Sequence, residues 1–234
     1  HRYKLKEIFD DNDSGAIWNK KWLRDFHTEM KERGLIGDVL LSSNARADCL
    51  DDETCSLLKK TGFRLFKVGL ESGNEKTMSR ISKKESVAEI KTGVKKAKDN
   101  GLIVMLTVMV GYPWETEEDV RRTYAAAQEL MLYKTRFGDC LQSSVIVPYP
   151  GTPLYEEALE RDWFVIDPED YEKFDMSHPV LKSHIESFEW CDRIWSIHKE
   201  PKFMLKSLLS IRTFRDLKLA YTGFKSISGH KRDF

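Results

Sequence analysis

The chain has 234 residues, and its 38 basic side chains balance 38 acidic ones, so the formal net charge is zero. With 41% hydrophobic and 32% charged residues, the composition is that of a globular protein with its own core, which excludes disorder and a disulfide-based scaffold. No run of eighteen apolar residues and no apolar signal-peptide stretch occurs, so the sequence predicts a cytoplasmic protein.

Five short apolar segments predict the buried strands of a parallel sheet. Their starts lie roughly 26 to 40 residues apart, which is the length of a strand plus a helix. In chain order the segments are residues 8–9, 39–42, 65–70, 103–110 and 141–147.

Helix boundaries between these strands are also readable. Ser86 and Thr116 each precede an acidic residue three positions later, which is a capping-box pattern, and Thr152 before Pro153 predicts a further helix start. Regular strand–helix alternation predicts an α/β fold, either an open doubly wound sheet or a barrel, and five strands cannot close an eight-stranded barrel. Glycines that predict helix ends stand at positions 34, 62 and 101.

After residue 160 the pattern changes, which predicts a division into residues 1–160 and a C-terminal helical extension over 161–234. An irregular aromatic stretch is followed by a helical pattern from about 186 to 228. Residues 193–234 carry 10 Lys or Arg against 3 Asp or Glu, so this extension is basic. No nucleic-acid-binding motif accompanies the charge, so we expect a solvated basic surface and no nucleic-acid partner.

Polar residues follow every predicted strand, at the edge where parallel α/β sheets carry their functional sites. Taken singly, each is explained by a turn or a helix cap, but together they predict one site for a ligand with amine or hydroxyl groups, or for a metal. The four cysteines, at 49, 55, 140 and 191, lack the C-x2-C spacing of zinc or redox sites, and we expect them to be buried small hydrophobes.

Four segments, in this order and spacing, resemble the radical S-adenosylmethionine (radical SAM) superfamily. The resemblance covers residues 1 to about 160 and is strongest to the cobalamin-dependent branch that includes anaerobic magnesium-protoporphyrin monomethyl ester cyclases and related Fe–S oxidoreductases. The segments are residues 9–12, 68–73, 109–116 and 147–155, which read FDDN, VGLESG, MVGYPWET and VPYPGTPLY.

This resemblance implies a TIM-like partial barrel of the (β/α)6 type, of which about five strands are present. It further implies that a [4Fe–4S] cluster cleaves SAM to a 5′-deoxyadenosyl radical, which abstracts hydrogen from a small-molecule substrate for cyclisation, methylation or a similar reaction. The cofactors supply this chemistry and no side chain is catalytic. Ferredoxin or flavodoxin is the implied electron donor, and cobalamin is a possible further cofactor of the full-length protein.

The resemblance also implies which residues contact SAM, while it assigns no metal ligand to this chain. The implied polar contacts are Asp10, Asp11 and Asn12 with the methionine end, Asn44 and Arg46 after the next strand, Glu71 with Ser72, and Lys83 with the carboxylate. The implied apolar contacts around adenine are Val108, Val110 and Val147.

One departure from the family pattern is the missing C-x3-C-x2-C motif. Because the first strand matches the family's second, we expect a fragment that begins after the cluster-binding loop and is inactive on its own. The same loss leaves the strand at Ile8 without a neighbour, which predicts a dimer through this exposed edge.

Three alternatives stay open at this stage. A metal-dependent hydrolase or lyase would use Asp10, Asp11 and Glu71 as ligands to Mg²⁺ or Mn²⁺. A non-catalytic scaffold would dock a partner through Trp190 and Trp195. The basic tail would lie on anionic lipid, with Leu217, Ala220, Tyr221 and Phe224 on one face and Arg212, Arg215 and Lys218 as its cations.

Overall fold

The computed structural model describes residues 5–12, 19–176, 178–212, 216–217 and 221. Five strands form one sheet in the order β1-β2-β3-β4-β5, and every neighbouring pair is parallel. The sheet is not closed, so the predicted α/β partial barrel of five strands is confirmed. The strands are β1 (Glu7–Asp10), β2 (Leu40–Ala45), β3 (Phe63–Glu71), β4 (Ile103–Val110) and β5 (Cys140–Val145).

Within the described residues, six α-helices connect or follow the strands, and α7 and α8 lie in the C-terminal extension. The strand-to-strand connection between β3 and β4 holds two helices, of which the shorter one, α3, is absent from the sequence prediction. The helices are α1 (Lys20–Glu32), α2 (Asp52–Thr61), α3 (Glu75–Arg80), α4 (Val87–Asp99), α5 (Glu117–Leu132), α6 (Pro153–Glu160), α7 (Ser187–Trp195) and α8 (Pro201–Leu209).

The helix signals in the sequence are confirmed in the structure. Ser86 and Thr116 form complete capping boxes, in which the hydroxyl and the acid three residues later satisfy free backbone amides. Thr152 caps α6 with Pro153 as its first residue. Gly62 ends α2 in the left-handed conformation, with φ 106°, which only glycine adopts without strain.

The two faces of the sheet differ in burial. Along β3 and β4, alternate residues such as Phe66, Val68 and Leu106 are buried in one core with the helices. The residues between them, such as Lys67 and Met109, are half-buried and face the other side, because successive strand side chains point in opposite directions. The sheet therefore has a second, more open face, opposite the core with the helices.

The extension packs against the sheet. Trp190, Ile194 and Phe203 are buried in the same core as β3 and β4. The helical segment predicted over about 186–228 consists, within the described residues, of α7, a 3₁₀ turn and α8, which starts at Pro201, and most of 213–228 lies outside the described residues. The division at residue 160 stays a prediction. Within the described residues, none of the helices has the length and apolar character needed to cross a membrane.

Candidate active site

The carboxyl ends of β1 and β2 bring four of the predicted residues together. The amide Nδ2 of Asn44 donates to the backbone oxygen of Asn12 at 2.9 Å and to Oδ1 of Asp11 at 3.3 Å. The side chain of Asn12 in turn donates to Asp10 at 2.8 Å. Asn44 Oδ1 is buried and accepts no hydrogen bond from any described residue, so it is available to a ligand.

Glu71 ends β3 in an unusual conformation. Its φ is +58°, a left-handed value that is costly for a side chain with a Cβ, and the register with β4 shifts between Gly69 and Glu71. The turn folds the carboxylate back over Gly69, where an added Cβ would overlap Oε1 of Glu71. Strain of this kind is a feature of functional sites.

A lysine joins two carboxylates beside this turn. Lys83 Nζ lies 3.3 Å from Glu71 Oε1 and 3.5 Å from Glu85 Oε2, and the Glu85 side chain is almost completely buried. Glu71 Oε2 is buried and unpartnered among the described residues. One cation against two anions leaves a negative excess with a free acceptor, which suits a ligand that carries an ammonium group.

Arg46 is held next to this group. Its Nε and Nη2 donate to the two oxygens of Asp48 at 3.1 and 2.6 Å, and this pair lowers the pKa of Asp48. The backbone amide of Asp48 donates to Glu85 Oε1 at 3.1 Å. Arg46 is thus connected to the Glu71–Lys83–Glu85 cluster through a neighbouring acid.

Four predicted side chains lie away from the open face. The Ser72 hydroxyl is buried and donates to Glu115 Oε1 at 3.0 Å. Val108 and Val110 are buried on the helix side of β4, and Val147 is buried in a second cluster beyond the end of β5. Their role as SAM contacts stays a prediction. Because these side chains are buried, mainly their backbone atoms are available for such contacts.

A pocket of about 440 Å³ opens beside Glu71 and Lys83, and its walls are residues that the sequence interpretation did not assign. Tyr112 stacks on Trp114 with ring centroids 5.2 Å apart, and the Arg80 guanidinium lies 3.9 Å from the centre of the Trp114 ring. Met109 lines the same pocket. Strict alternation along β4 could have found Met109, because it faces away from Val108 and Val110.

Glu115 is a further residue that the sequence interpretation missed. Its side chain is buried behind the pocket, and this burial raises its pKa to about 7. Its Oε1 holds Ser72, whereas its Oε2 has no hydrogen-bond partner within the described ranges. A carboxyl group with this pKa changes its charge near neutral pH.

No set of metal ligands is formed by the described residues. Nowhere in residues 5–12, 19–176, 178–212, 216–217 and 221 are three His, Cys, Asp or Glu side chains grouped so that they could hold a metal ion. The alternative metal site of Asp10, Asp11 and Glu71 therefore lacks support. Burial raises the pKa of Cys49 and Cys140 to about 11 and that of Cys55 to about 12, which disfavours their nucleophilic thiolate form.

Comparison with known proteins shows which family has a sequence similar to the residues around this edge of the sheet. The sequence model of the Radical SAM superfamily matches residues 19–127, which include β2, β3, β4, Glu71 and Lys83. Residues 19–127 therefore carry the sequence signature of the Radical SAM superfamily. The resemblance inferred from the four sequence segments is thereby confirmed for the superfamily.

Curated relatives extend the similarity beyond the matched segment. An uncharacterized methyltransferase from Pyrococcus horikoshii is 26% identical over 219 residues, which are 92% of this chain and 45% of the relative. The anaerobic magnesium-protoporphyrin IX monomethyl ester cyclase of Rubrivivax gelatinosus is 26% identical over 204 residues, 86% of this chain and 34% of the relative. The chain thus spans less than half the length of these two relatives.

Solved structures share the fold. Coproporphyrinogen III oxidase (HemN) of Escherichia coli, a radical SAM enzyme, superposes with a TM-score of 0.57 at 15% identity. The superposed region covers 83% of this chain and 40% of the HemN chain. The radical SAM methyltransferase TsrM of Kitasatospora setae, with cobalamin and a [4Fe–4S] cluster bound, gives a TM-score of 0.53 at 20% identity, covering 61% of this chain and 26% of its own.

Proposed function

We propose that the open edge of this radical SAM domain binds SAM and that the protein is a radical SAM enzyme. The observation that carries the proposal is the Glu71–Lys83–Glu85 cluster with its free buried acceptor, next to an aromatic pocket. An amino-acid zwitterion needs an acceptor for its ammonium and a cation for its carboxylate, and a purine needs an apolar, aromatic wall.

The residues fit the parts of SAM as follows. Glu71 Oε2 and Asn44 Oδ1 are the buried acceptors for the amino group, and Lys83 pairs with the carboxylate. Met109, Tyr112 and the adjoining wall accept the adenine by apolar contact and exclude water from it. These assignments concern binding and orientation, and they give no side chain a part in bond breaking.

In radical SAM enzymes, a [4Fe–4S] cluster with bound SAM supplies the 5′-deoxyadenosyl radical that starts the reaction. The four cysteines of this chain do not fit the cluster, since the described residues offer no group of three suitable ligands. We therefore propose that the cluster ligands come from outside residues 1–234 and that the domain contributes the SAM-binding side of the site.

Cobalamin and the class of reaction are extensions of this proposal. The TsrM structure holds cobalamin together with its cluster, which supports cobalamin as a second cofactor of the whole protein. The relatives are named as a methyltransferase and as a cyclase, which supports methyl transfer or oxidative ring closure on a small molecule. Both reactions need an external electron source, for which we propose a ferredoxin or flavodoxin.

SAM cleavage is the decisive test. The protein, expressed with any residues that its gene encodes before His1, is reconstituted anaerobically with iron and sulfide, and 5′-deoxyadenosine is measured after reduction with dithionite. We expect SAM-dependent 5′-deoxyadenosine from the wild type. Formation of a cluster without any 5′-deoxyadenosine would overturn the proposal.

SAM affinity tests the assigned residues in the same preparation. Glu71→Gln keeps the shape but loses the charge-assisted hydrogen bond, so SAM should bind roughly tenfold to one hundredfold more weakly. Glu118→Gln, on the exposed surface of α5, is the matched control and should bind SAM normally. Equal affinities of the two variants would remove Glu71 from the site.

A further inference from the structure

Helix α8 carries four large apolar side chains on its outer surface. Met204, Leu205, Leu208 and Leu209 are exposed by 51%, 59%, 60% and 68%, and we call them the α8 stripe. At 100° per residue they lie within an arc of about 140° along the helix. Phe203 points the opposite way and is buried. Grouped exposure of this kind, unlike single exposed leucines, marks an interaction surface.

Hydrogen bonds hold the helix so that the stripe faces outward. At the start of α8, Glu200 accepts from Tyr124 at 2.9 Å and from Gln128 at 2.8 Å. Lys206 Nζ donates to the backbone oxygen of Leu132 at 2.7 Å. At the far end, the Ser210 hydroxyl accepts from the backbone amide of residue 137 at 2.6 Å. Rotating the stripe inward would break contacts at both ends of the helix.

The surroundings of the stripe are basic. Lys202 follows the edge of the arc next to Leu209, beside Lys206, whose Nζ stays on the backbone oxygen of Leu132, and Arg212 comes one turn after the helix end. The only acidic residue between 196 and 212 is Glu200, and its carboxylate is used by the internal hydrogen bonds. Lysine stems can lie along apolar surface while their ammonium groups reach anionic groups beyond it.

The same charge disfavours occupants from within the protein. Residues 193–234 carry 10 basic and 3 acidic side chains, so the same face of a second copy or the chain's own C-terminal residues would bring like charge to the stripe. An anionic surface meets no such repulsion. The stripe also protrudes from a convex helix, and fluid acyl chains accept protruding side chains without needing a complementary groove.

We propose that the α8 stripe docks this domain on an anionic lipid bilayer. The four apolar side chains enter the boundary between head groups and acyl chains, and the flanking cations contact the head groups. Trp195, which is 40% exposed and has Lys199 Nζ 4.0 Å from its ring, is a further exposed aromatic side chain of the extension. Leu217 and Tyr221, 57% and 69% exposed, add apolar area further along the chain.

Vesicle co-sedimentation of the 234-residue chain tests this proposal. One vesicle preparation contains phosphatidylcholine alone and the other contains 30% phosphatidylserine. We expect binding to the anionic vesicles at low salt, and release in about 0.5 M salt, where the Debye length falls below 5 Å. A wild-type chain that stays in the supernatant with anionic vesicles at low salt would overturn the proposal.

Two pairs of variants separate the apolar and charged parts. Leu205→Ser/Leu208→Ser should weaken binding to anionic vesicles by at least about tenfold, whereas Leu159→Ser, an exposed leucine on α6, should bind like the wild type. Lys202→Gln/Arg212→Gln should weaken binding, whereas Lys21→Gln/Lys31→Gln on α1 should not. Thermal melting and SAM affinity serve as folding controls and should not change.

The remaining outcomes identify other occupants of the stripe. Undiminished vesicle binding by the double serine variant would overturn the proposal, because it would show that charge alone acts. Self-association in sedimentation velocity, lost in the same variant and without vesicle binding, would assign the stripe to a second copy of the chain and would also overturn it. Neither outcome bears on SAM cleavage, so the two proposals fail separately.

Discussion

The amino-terminal and carboxyl-terminal ends of the sheet both bury charged groups, but they pair them differently. Near the amino end, Lys98 Nζ donates to the backbone oxygens of Leu130 and Tyr133 at 2.7 and 3.0 Å and pairs with Asp139 at 3.0 Å. Asp139 also accepts from the backbone amides of Val104 and Arg136, each at 2.9 Å. Every charged atom of this pair has a partner.

The carboxyl end leaves buried acceptors open. Asn44 Oδ1, Glu71 Oε2 and Glu115 Oε2 have no partner among the described residues, although each is shielded from solvent. The fully paired charges at the amino end stabilise the fold. At the carboxyl end, a polar ligand would supply the missing hydrogen-bond partners. Substitutions at the two ends should therefore affect different properties.

The largest effect is expected at the amino end. Lys98→Met leaves Asp139 as a buried, unpaired charge, so the free energy of unfolding should fall by about 3–5 kcal/mol in urea titrations. The double variant Lys98→Met/Asp139→Leu removes both charges and should regain much of that loss. A single-variant loss below about 1 kcal/mol would contradict the role of the pair.

The next effect concerns Glu115 and depends on pH. Burial raises its pKa from 4.5 to about 7, so the folded protein keeps a proton that the unfolded chain releases between these values. Stability should therefore fall as pH rises through this window, by on the order of 3 kcal/mol from this group. Glu115→Gln removes the titration, so the stability of the variant relative to the wild type should rise between pH 5 and 7 and level off above. A pH-independent difference in urea titrations would contradict the raised pKa.

A third prediction concerns ligand binding with little change in stability. Gly69→Ala adds a Cβ where the Glu71 carboxylate lies, so it should displace Oε1 and weaken SAM binding by roughly tenfold. In the Glu71→Gln background we expect a smaller additional loss, because both changes act on the same contact. Fully additive losses in calorimetric titrations would show that Gly69 acts by another route.

The smallest expected effect is on self-association, and it concerns the outer strand β1 rather than the ends of the strands. Ile8 and Phe9 are 44% and 43% exposed on β1, which pairs only with β2 within the described sheet. We expect weak dimerisation through this edge, and Ile8→Lys should reduce it in sedimentation velocity. A wild-type chain that stays monomeric at high concentration would exclude the edge as a dimer contact.

Much of the fold could be predicted because local signals and tertiary structure agree. Ser86, Thr116 and Thr152 act as caps, and the strands fall within a few residues of the apolar segments. The break before α8 has a local signal in Pro201, the first residue of that helix. Helix α3 is only six residues long and has too little periodicity to be recognised.

The site was less predictable. The sequence indicates which residues follow each strand at the edge of the sheet, but it does not indicate the direction in which each side chain points. Glu71 and Lys83 meet at the open face, although they lie twelve positions apart. Ser72 follows Glu71 directly but turns into the core, since the left-handed residue before it changes the course of the backbone. The raised pKa of Glu115 depends on its burial beside Ser72 and Thr77, which are distant in the chain, so no local pattern encodes it.

Because Glu71 has a left-handed backbone, selection for stability and selection for SAM binding should favour different residues at position 71. Replacing a residue at φ +58° by glycine relieves backbone strain of roughly 1–2 kcal/mol, so a library screened only for heat resistance should accumulate Gly at this position. A library screened for retention of SAM should keep Glu. Deep sequencing of position 71 after both screens would measure how much stability the protein gives up to keep a carboxylate there.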